Sequence, residues 1–287
     1  MTSVRSATAS VDQASAARLL EEADRFWVRE ARRSDGTSGR FGEAMLDAAE
    51  LRDGLRVLDV GCGAGSTTVE AAWRVAPGTA VGVDVSGPAL ALASKRAADA
   101  ECDNVQFIEA DAQTYAFEPA TFDAVISRFG TMFFEDSTEA FANLRRALRP
   151  SGRLAIVAWQ GPFENEWTAV AVRVAIAVFG RPPDLGAPRT PGPFAFADGD
   201  HFRSVVTSAG FHRVELESLT RPMVMGTDVE DVVGMVAATP QSKCLFAGQP
   251  EERIQAALEG LRTGFAPFAK PEGVVMSGKA WLLTARS

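Results

Sequence analysis

Histidine, cysteine and tyrosine are scarce in this chain of 287 residues, which contains two histidines, three cysteines and one tyrosine. Cys62, Cys102 and Cys244 are odd in number and share no spacing typical of a metal or redox site. We therefore predict no metal site, no disulfide framework and a reducing, cytoplasmic location. The most apolar run in the second half, residues 169–179, contains Arg173 and is too short to cross a bilayer. The first 15 residues contain no signal-peptide-like apolar stretch and are predicted to be a disordered leader.

Positive charge is also in short supply. The chain has 29 Lys and Arg residues against 37 Asp and Glu, a net charge of −8 and a pI near 5.0. This balance argues against nucleic acid or an anionic membrane as the main partner. A small molecule is the partner that the composition favours.

A glycine-rich turn that follows a buried strand is the most informative feature of the chain. Residues 55–60 read as the strand, Gly61, Gly63 and Gly65 come next, and a helix pattern runs over residues 67–75. Glycine lets the backbone turn sharply and lets a ligand approach it closely. The helix start adds free N–H groups and the positive end of its dipole. The pattern predicts a loop that holds a nucleotide-type cofactor.

Two cofactors compete for this loop. A nicotinamide dinucleotide site has the pattern G-x-G-x-x-G, whereas here the third glycine comes one residue early and Ser66 takes its place. The carboxylate of Asp59, two residues before Gly61, would also repel a pyrophosphate. A phosphate-free cofactor with a cationic part, such as S-adenosylmethionine, fits better.

Polar residues follow the next three predicted strands at regular intervals. Asp84 lies 25 residues after Asp59, Asp111 lies 27 residues after Asp84, and Ser127 with Arg128 ends a fourth strand. Each interval has the length of a strand–helix–strand unit. Cofactor sites lie beyond the carboxyl ends of the strands in such sheets.

These motifs together resemble the class I S-adenosylmethionine-dependent methyltransferases, and among them the ubiquinone-biosynthesis-like small-molecule branch. The resemblance is strong over residues 51–159. It implies that Asp59 and the three loop glycines hold the cofactor, and that Asp84, beside Val85, accepts hydrogen bonds from both ribose hydroxyls. It also implies that Asp111 and the Ala112 N–H bind the adenine, and that Ser127 lies beside the methionine portion.

The order of strand and helix patterns predicts an α/β fold. We expect a doubly wound, Rossmann-like, seven-stranded and mostly parallel sheet with an antiparallel last strand and a helical cap. Residues 1–50 are predicted to form N-terminal helices that cover the cofactor, broken at residues 34–36. Residues 51–160 would form the cofactor-binding core, and residues 161–287 the rest of the sheet. A lid insert of about residues 220–272 would interrupt that last part, with helices over 228–238 and 250–264 between strands 212–219 and 274–285.

The acceptor side of the site is less specific. After the fourth strand the chain reads Ser127-Arg128-Phe129-Gly130, not the Asp/Asn-Pro-Pro-Tyr/Phe of enzymes that methylate nucleic-acid bases, so a small organic acceptor is favoured. Arg128 either contacts the acceptor or pairs with a carboxylate, and Met132 and Phe133 line either the acceptor pocket or the core. His201, at a helix start, is the candidate general base or a solvent-exposed residue of the first turn.

Several alternatives stay open at this point. The sequence does not separate O-, N- and C-methylation or a monomer from a homodimer. A nicotinamide-dependent oxidoreductase is the second hypothesis for function. A peptide-modifying methyltransferase or a non-catalytic cofactor-binding protein is the third.

Overall fold

The computed structural model describes residue 22 and residues 25–287. The strands are β1 (Arg56–Val60), β2 (Thr79–Asp84), β3 (Val105–Glu109), β4 (Phe122–Arg128), β5 (Leu148–Trp159), β6 (His212–Gly226), β7 (Ala269–Lys270) and β8 (Gly273–Arg286). The α-helices from residue 31 onward are α1 (Ala31–Ala48), α2 (Ser66–Val75), α3 (Gly87–Asp99), α4 (Ser137–Ala147), α5 (Glu166–Phe179), α6 (Gly199–Ser208), α7 (Val229–Ala238), α8 (Pro240–Phe246) and α9 (Glu251–Phe265). Short 3₁₀ turns lie at Thr131–Phe133 and Ala266–Phe268. The predicted leader lies outside the described residues.

One sheet organises the molecule, with strand order β3-β2-β1-β4-β5-β8-β6 and the two-residue β7 paired to β8. The first five strands in this order pair in parallel. Strand β8 runs antiparallel between β5 and β6. The predicted seven-stranded, mostly parallel sheet with an antiparallel last strand is confirmed, and β7 is the small addition to it.

Two hydrophobic cores cover the two faces of the sheet. Successive side chains of a strand point to opposite faces, so Val57 joins the core on one face and Leu58 joins the core on the other. The first core packs beneath α1, α2, α5, α7 and α9, and the second beneath α4 and α6. The loops that end β1, β2, β3 and β4 are left at one edge of the sheet.

The first helical region differs from its prediction. Helix α1 runs through residues 34–36 without the predicted break. Its buried positions, spaced as on one helical face, are Ala31, Ser38, Phe41, Gly42, Met45 and Leu46. This apolar stripe anchors the helix and overrides the weak local preference of the polar residues for a turn.

The insert between β6 and β8 also differs in detail. Strand β6 extends to Gly226 rather than residue 219, and α8 is an additional helix between the two that were predicted. Val232 and Val233 of α7 and Leu261 and Phe265 of α9 are buried in the first core. The insert is therefore part of the packed fold rather than a detached flap.

Within the described part of the chain, no helix combines the length and the apolar character needed to cross a membrane.

Candidate functional site

The glycine loop connects β1 to α2 with three left-handed residues, at φ values of 67° for Gly61, 53° for Gly63 and 78° for Gly65. A Cβ placed on Gly65 would lie 2.6 Å from the Cβ of Ala93, so this glycine is needed for close packing against α3. A Cβ on Gly63 would meet no atom within 4 Å. Gly63 thus faces open space, so a ligand could approach its backbone closely.

The loop ends in a helix start that no side chain caps. Gly65 is the N-cap residue of α2, and it offers no side chain to the N–H groups of the first turn. Ser66, the first residue of the helix, directs its hydroxyl to Asp35 of α1 instead. The first turn of α2 therefore presents backbone donors and a positive dipole end toward the loop.

Asp84 ties the glycine loop to the end of β2. Its Oδ2 accepts a hydrogen bond from the Gly63 N–H at 2.8 Å, and its Oδ1 accepts one from the Ser86 N–H at 2.9 Å. These bonds fix the carboxylate at the edge of the sheet, where the ribose was predicted. The adjacent Val85 has half of its surface exposed.

Asp59 lies beneath the loop, with 1% of its surface exposed. Its Oδ2 accepts a hydrogen bond of 2.7 Å from the Thr68 hydroxyl on α2. Burial raises the pKa of this carboxyl to about 6, although the Thr68 bond and nearby Arg128 oppose the rise. Asp84 adds to the rise by charge repulsion. A cation bound at the loop would relieve this repulsion, whereas a pyrophosphate would increase it.

The two remaining strand ends carry one exposed and one buried candidate. Asp111 is exposed, and its Oδ1 accepts a hydrogen bond of 2.9 Å from the Gln113 N–H, while Ala112 is buried. The fully buried Ser127 donates its hydroxyl to the Val60 carbonyl at 2.7 Å and accepts from the Gly130 N–H at 3.3 Å. Ser127 thus joins the ends of β1 and β4.

A polar cluster joins α1 to the glycine loop. Asp35 accepts hydrogen bonds from Ser66 (2.5 Å), Arg96 (2.8 Å) and Arg128 (2.9 Å). Arg96 also donates to the Ala64 carbonyl, inside the loop, at 3.1 Å. We call Asp35, Ser66, Arg96 and Arg128 the Asp35 cluster. Of the two interpretations of Arg128, the structure shows the pairing with a carboxylate.

Met132 and Phe133 lie in the 3₁₀ turn after β4, where Met132 is buried and Phe133 is half-buried. His201 lines a cavity of about 270 Å³. No residue of the glycine loop is among the described residues that line this cavity. That cavity lies where α4 and α6 begin, and Phe134 and Arg189 also line it. Burial, and secondly the charge of Arg189, lower the pKa of His201 and favour its neutral form.

The N-terminal helices were predicted to cover the cofactor, but sequence reasoning missed Asp35 as the residue through which α1 contacts the loop. Asp35 was interpreted as part of a break, yet the apolar spacing from Ala31 to Leu46 could have revealed a continuous helix. No feature of the sequence indicated that Arg96 contacts the loop, because an arginine on the exposed side of a helix is typical of any protein surface. Cys62, inside the loop, is buried, and burial raises the pKa of its thiol, so it is not a reactive nucleophile.

Comparison with known proteins agrees with this geometry. A family described as a methyltransferase domain matches residues 57–152, a third of the chain. Nocamycin O-methyltransferase of Saccharothrix syringae is 29% identical over 227 residues, which are 76% of this chain and 80% of the relative. Demethylmenaquinone methyltransferase of Thermus thermophilus is 35% identical over 129 residues, 45% of this chain and 58% of the relative. The crystal structure of the YcgJ protein from Bacillus subtilis shares the fold, with a TM-score of 0.59 and 18% identity over 87% of this chain and 98% of that one.

Proposed function

Because this chain belongs to the class I S-adenosylmethionine-dependent methyltransferases, we propose that it transfers a methyl group to an O, N or C atom of a small organic acceptor. The observation that carries the proposal is the glycine loop, open at Gly63 and fixed through its N–H to Asp84. The buried carboxyl of Asp59 beneath the loop favours a cationic, phosphate-free cofactor over a dinucleotide.

S-adenosylmethionine is the cofactor, and when bound it supplies a methyl group on a positively charged sulfur. The chain's own residues hold and orient the cofactor and shield the reacting atoms from water. We assign the ribose to Asp84, the adenine to Asp111 and the Ala112 N–H, and the methionine portion to the loop glycines and the region of Ser127. Correct alignment of the reacting atoms and exclusion of water are the contributions that such positioning makes to the rate.

The acceptor is proposed from the relatives and from the charge of the chain. One relative is named for O-methylation of nocamycin and another for methylation of demethylmenaquinone, both small organic molecules. The net charge of −8 favours such an acceptor over nucleic acid. His201 is the proposed base for an acceptor that must lose a proton, because its lowered pKa favours the neutral imidazole. Since the described residues that line the cavity of His201 include none from the glycine loop, this role requires an acceptor that extends from the loop into that cavity.

We propose that α1 and the insert cover the site together. The Asp35 cluster holds α1 against the glycine loop. On the other side, Arg33 donates to both carboxylate oxygens of Asp231 on α7, at 2.6 and 2.9 Å, and to the Met225 carbonyl at 2.9 Å. One helix therefore connects the cofactor loop with the insert. A cytoplasmic location and a monomer or homodimer complete the proposal.

The test begins with binding. We expect calorimetry to show that S-adenosylmethionine binds and NADH does not. A screen of small organic acceptors with methyl-labelled S-adenosylmethionine, analysed by mass spectrometry, should then yield a product that gains one labelled methyl group. NADH binding without S-adenosylmethionine binding would favour the oxidoreductase hypothesis. Cofactor binding without any product across the screen would favour a non-catalytic binding protein.

A further inference from the structure

Three buried polar atoms at one end of the sheet have no hydrogen-bond partner among the described residues. They are the hydroxyls of Thr131 and Thr168 and the indole Nε1–H of Trp167. Thr131 is fully buried and Thr168 is 3% exposed. Buried polar groups in folded proteins are nearly always paired, because an unpaired group loses its hydrogen bonds to water without replacement. Three such atoms require partners that the described residues do not supply, and ordered water or a ligand can provide them.

The three atoms belong to one region. Thr131 opens the turn after β4, and the sulfur of its neighbour Met132 accepts a hydrogen bond of 3.3 Å from the N–H of Trp159, the last residue of β5. The ring of Trp159 lies 5.8 Å from that of Trp167, and Thr168 follows Trp167 along α5. The three residues thus lie near the ends of β4 and β5, with Trp167 and Thr168 in the first turn of α5.

This region borders the glycine loop. The residue before Thr131 is Gly130, and its Cα would lie 2.7 Å from a Cβ placed on Gly61. The Gly130 N–H is also held by Ser127, which bonds the end of β1. A ligand beside Thr131 would therefore lie next to the cofactor loop.

Aromatic side chains surround the ends of β4 and β5. Phe129 stacks on Trp159 with ring centroids 3.9 Å apart and planes 11° apart. Trp167 stacks on Phe194 at 6.3 Å and 29°. Phe41 of α1 contacts both Phe129 and Trp159 edge-on, at 5.8 and 5.3 Å. Displacement of α1, which carries Phe41, would expose these ring faces.

We infer that the ends of β4 and β5, with the start of α5, form the acceptor subsite, and that it takes a planar aromatic compound with oxygen substituents. An indole N–H can only donate, so the ligand must supply an accepting oxygen to Trp167, while the threonine hydroxyls can donate or accept. Aromatic walls favour a flat ring system. The inference rests on the proposed function, and it names Thr131 and Thr168 as specificity residues beside the predicted Met132 and Phe133.

The test removes the unpaired groups with the variants Thr131→Val and Thr168→Val, which keep the side-chain shape, and Trp167→Phe, which also shortens the ring system. The probes are 2-naphthol and naphthalene, which differ by one hydroxyl, measured by equilibrium dialysis with S-adenosylhomocysteine present. We expect wild type to bind 2-naphthol roughly tenfold more tightly than naphthalene, the difference that one net hydrogen bond provides. Each variant should lose much of this preference, and the unfolding midpoint of Thr131→Val and Thr168→Val should stay equal or rise.

Trp281→Phe is the matched control, because the Trp281 indole donates to the Ala197 carbonyl at 3.0 Å. This variant should unfold at a lower temperature and keep the preference for 2-naphthol. Equal affinity of wild type for the two probes, a preference that survives in all three variants, or a lowered unfolding midpoint in both threonine variants would overturn the inference. Calorimetry with S-adenosylhomocysteine on the same samples separates the two proposals. Cofactor binding without probe preference refutes the subsite alone, and absent cofactor binding refutes the proposed function.

Discussion

Replacing Gly63 with alanine separates ligand binding from folding at the glycine loop. The backbone at Gly63 has φ of 53°, in the left-handed region, where an L-residue costs about 1–2 kcal/mol. The new methyl group would meet no protein atom within 4 Å, so no packing cost is added. The free energy of unfolding should therefore fall by only about 1–2 kcal/mol, a shift of roughly 2–6 °C in the unfolding midpoint.

The effect of Gly63→Ala on cofactor affinity should be larger. The methyl group would occupy the open space above the loop, where we place the cofactor. We expect calorimetry to show at least a tenfold rise in the Kd for S-adenosylmethionine, about 1.4 kcal/mol or more. The same change should appear with S-adenosylhomocysteine, because steric exclusion by a methyl group does not depend on the charge of the sulfur.

Two other glycines provide the controls. Gly248 lies between α8 and α9 with φ of 73° and no atom within 4 Å of a Cβ, so Gly248→Ala should match the stability loss and leave the affinity unchanged. Gly65→Ala would place its Cβ 2.6 Å from Ala93, which should add about 1–3 kcal/mol of overpacking. Wild-type cofactor affinity in Gly63→Ala, or an equal loss in Gly248→Ala, would refute the reasoning.

The remaining predictions concern charged and titratable groups. Asp35→Asn should weaken the contact of α1 with the loop and raise the cofactor Kd several-fold by calorimetry, and an unchanged Kd would argue against α1 as a cofactor cover. Arg33 lowers the pKa of Asp231 to about 2, so this pair should contribute about 2 kcal/mol that is present above pH 4 and lost as pH falls toward 2; denaturant unfolding of Asp231→Asn should show a flatter pH dependence over this range. The folded pKa of Asp59 is raised to about 6, so its contribution to stability is present below pH 4 and lost as pH rises through 6. Asp59→Asn should then be up to about 3 kcal/mol more stable than wild type at pH 8, yet bind the cationic cofactor less tightly, and lower stability at pH 8 would contradict the assigned pKa. His201→Ala should reduce turnover more than tenfold at unchanged cofactor affinity, and unchanged turnover would remove His201 as the base.

The positions of Asp84 and Asp111 could be predicted because a parallel sheet places the carboxyl ends of all its strands at the same edge. Alternation of strands and helices is a local pattern, and the topology follows from it with few alternatives. The burial of Asp59 beneath the loop could not be predicted in the same way. It is the penultimate residue of β1 and points toward α2, so it supports the loop from below through Thr68.

The parts that were missed depend on contacts distant in sequence. The polar residues near Asp35 locally favour a turn, and the buried face from Ala31 to Leu46 keeps them in a helix. The partners of Asp35 in the cluster, Arg96 and Arg128, lie far along the chain and could not be predicted from a local pattern. Strand β6 was predicted too short because the alternation of apolar and polar residues was followed only to Leu219, whereas its pairing with β8 continues past Pro222 to Gly226. Unpaired atoms such as the Trp167 indole N–H become visible only once the surrounding fold is known.

The position of α1 has a consequence for the order of events in catalysis. Arg33 and Asp35 lie within one helical turn, and they hold opposite neighbours: the insert through Asp231 and the cofactor loop through the Asp35 cluster. A single rigid shift of the helix would therefore move both the cover of the glycine loop and Phe41, which lies over the proposed acceptor subsite. By thermodynamic linkage, if the first ligand changes the affinity for the second by some factor, the second ligand changes the affinity for the first by the same factor. An enzyme with such a shared wall should bind its acceptor with an affinity that depends on whether the cofactor is bound, and the two affinities should change by the same factor.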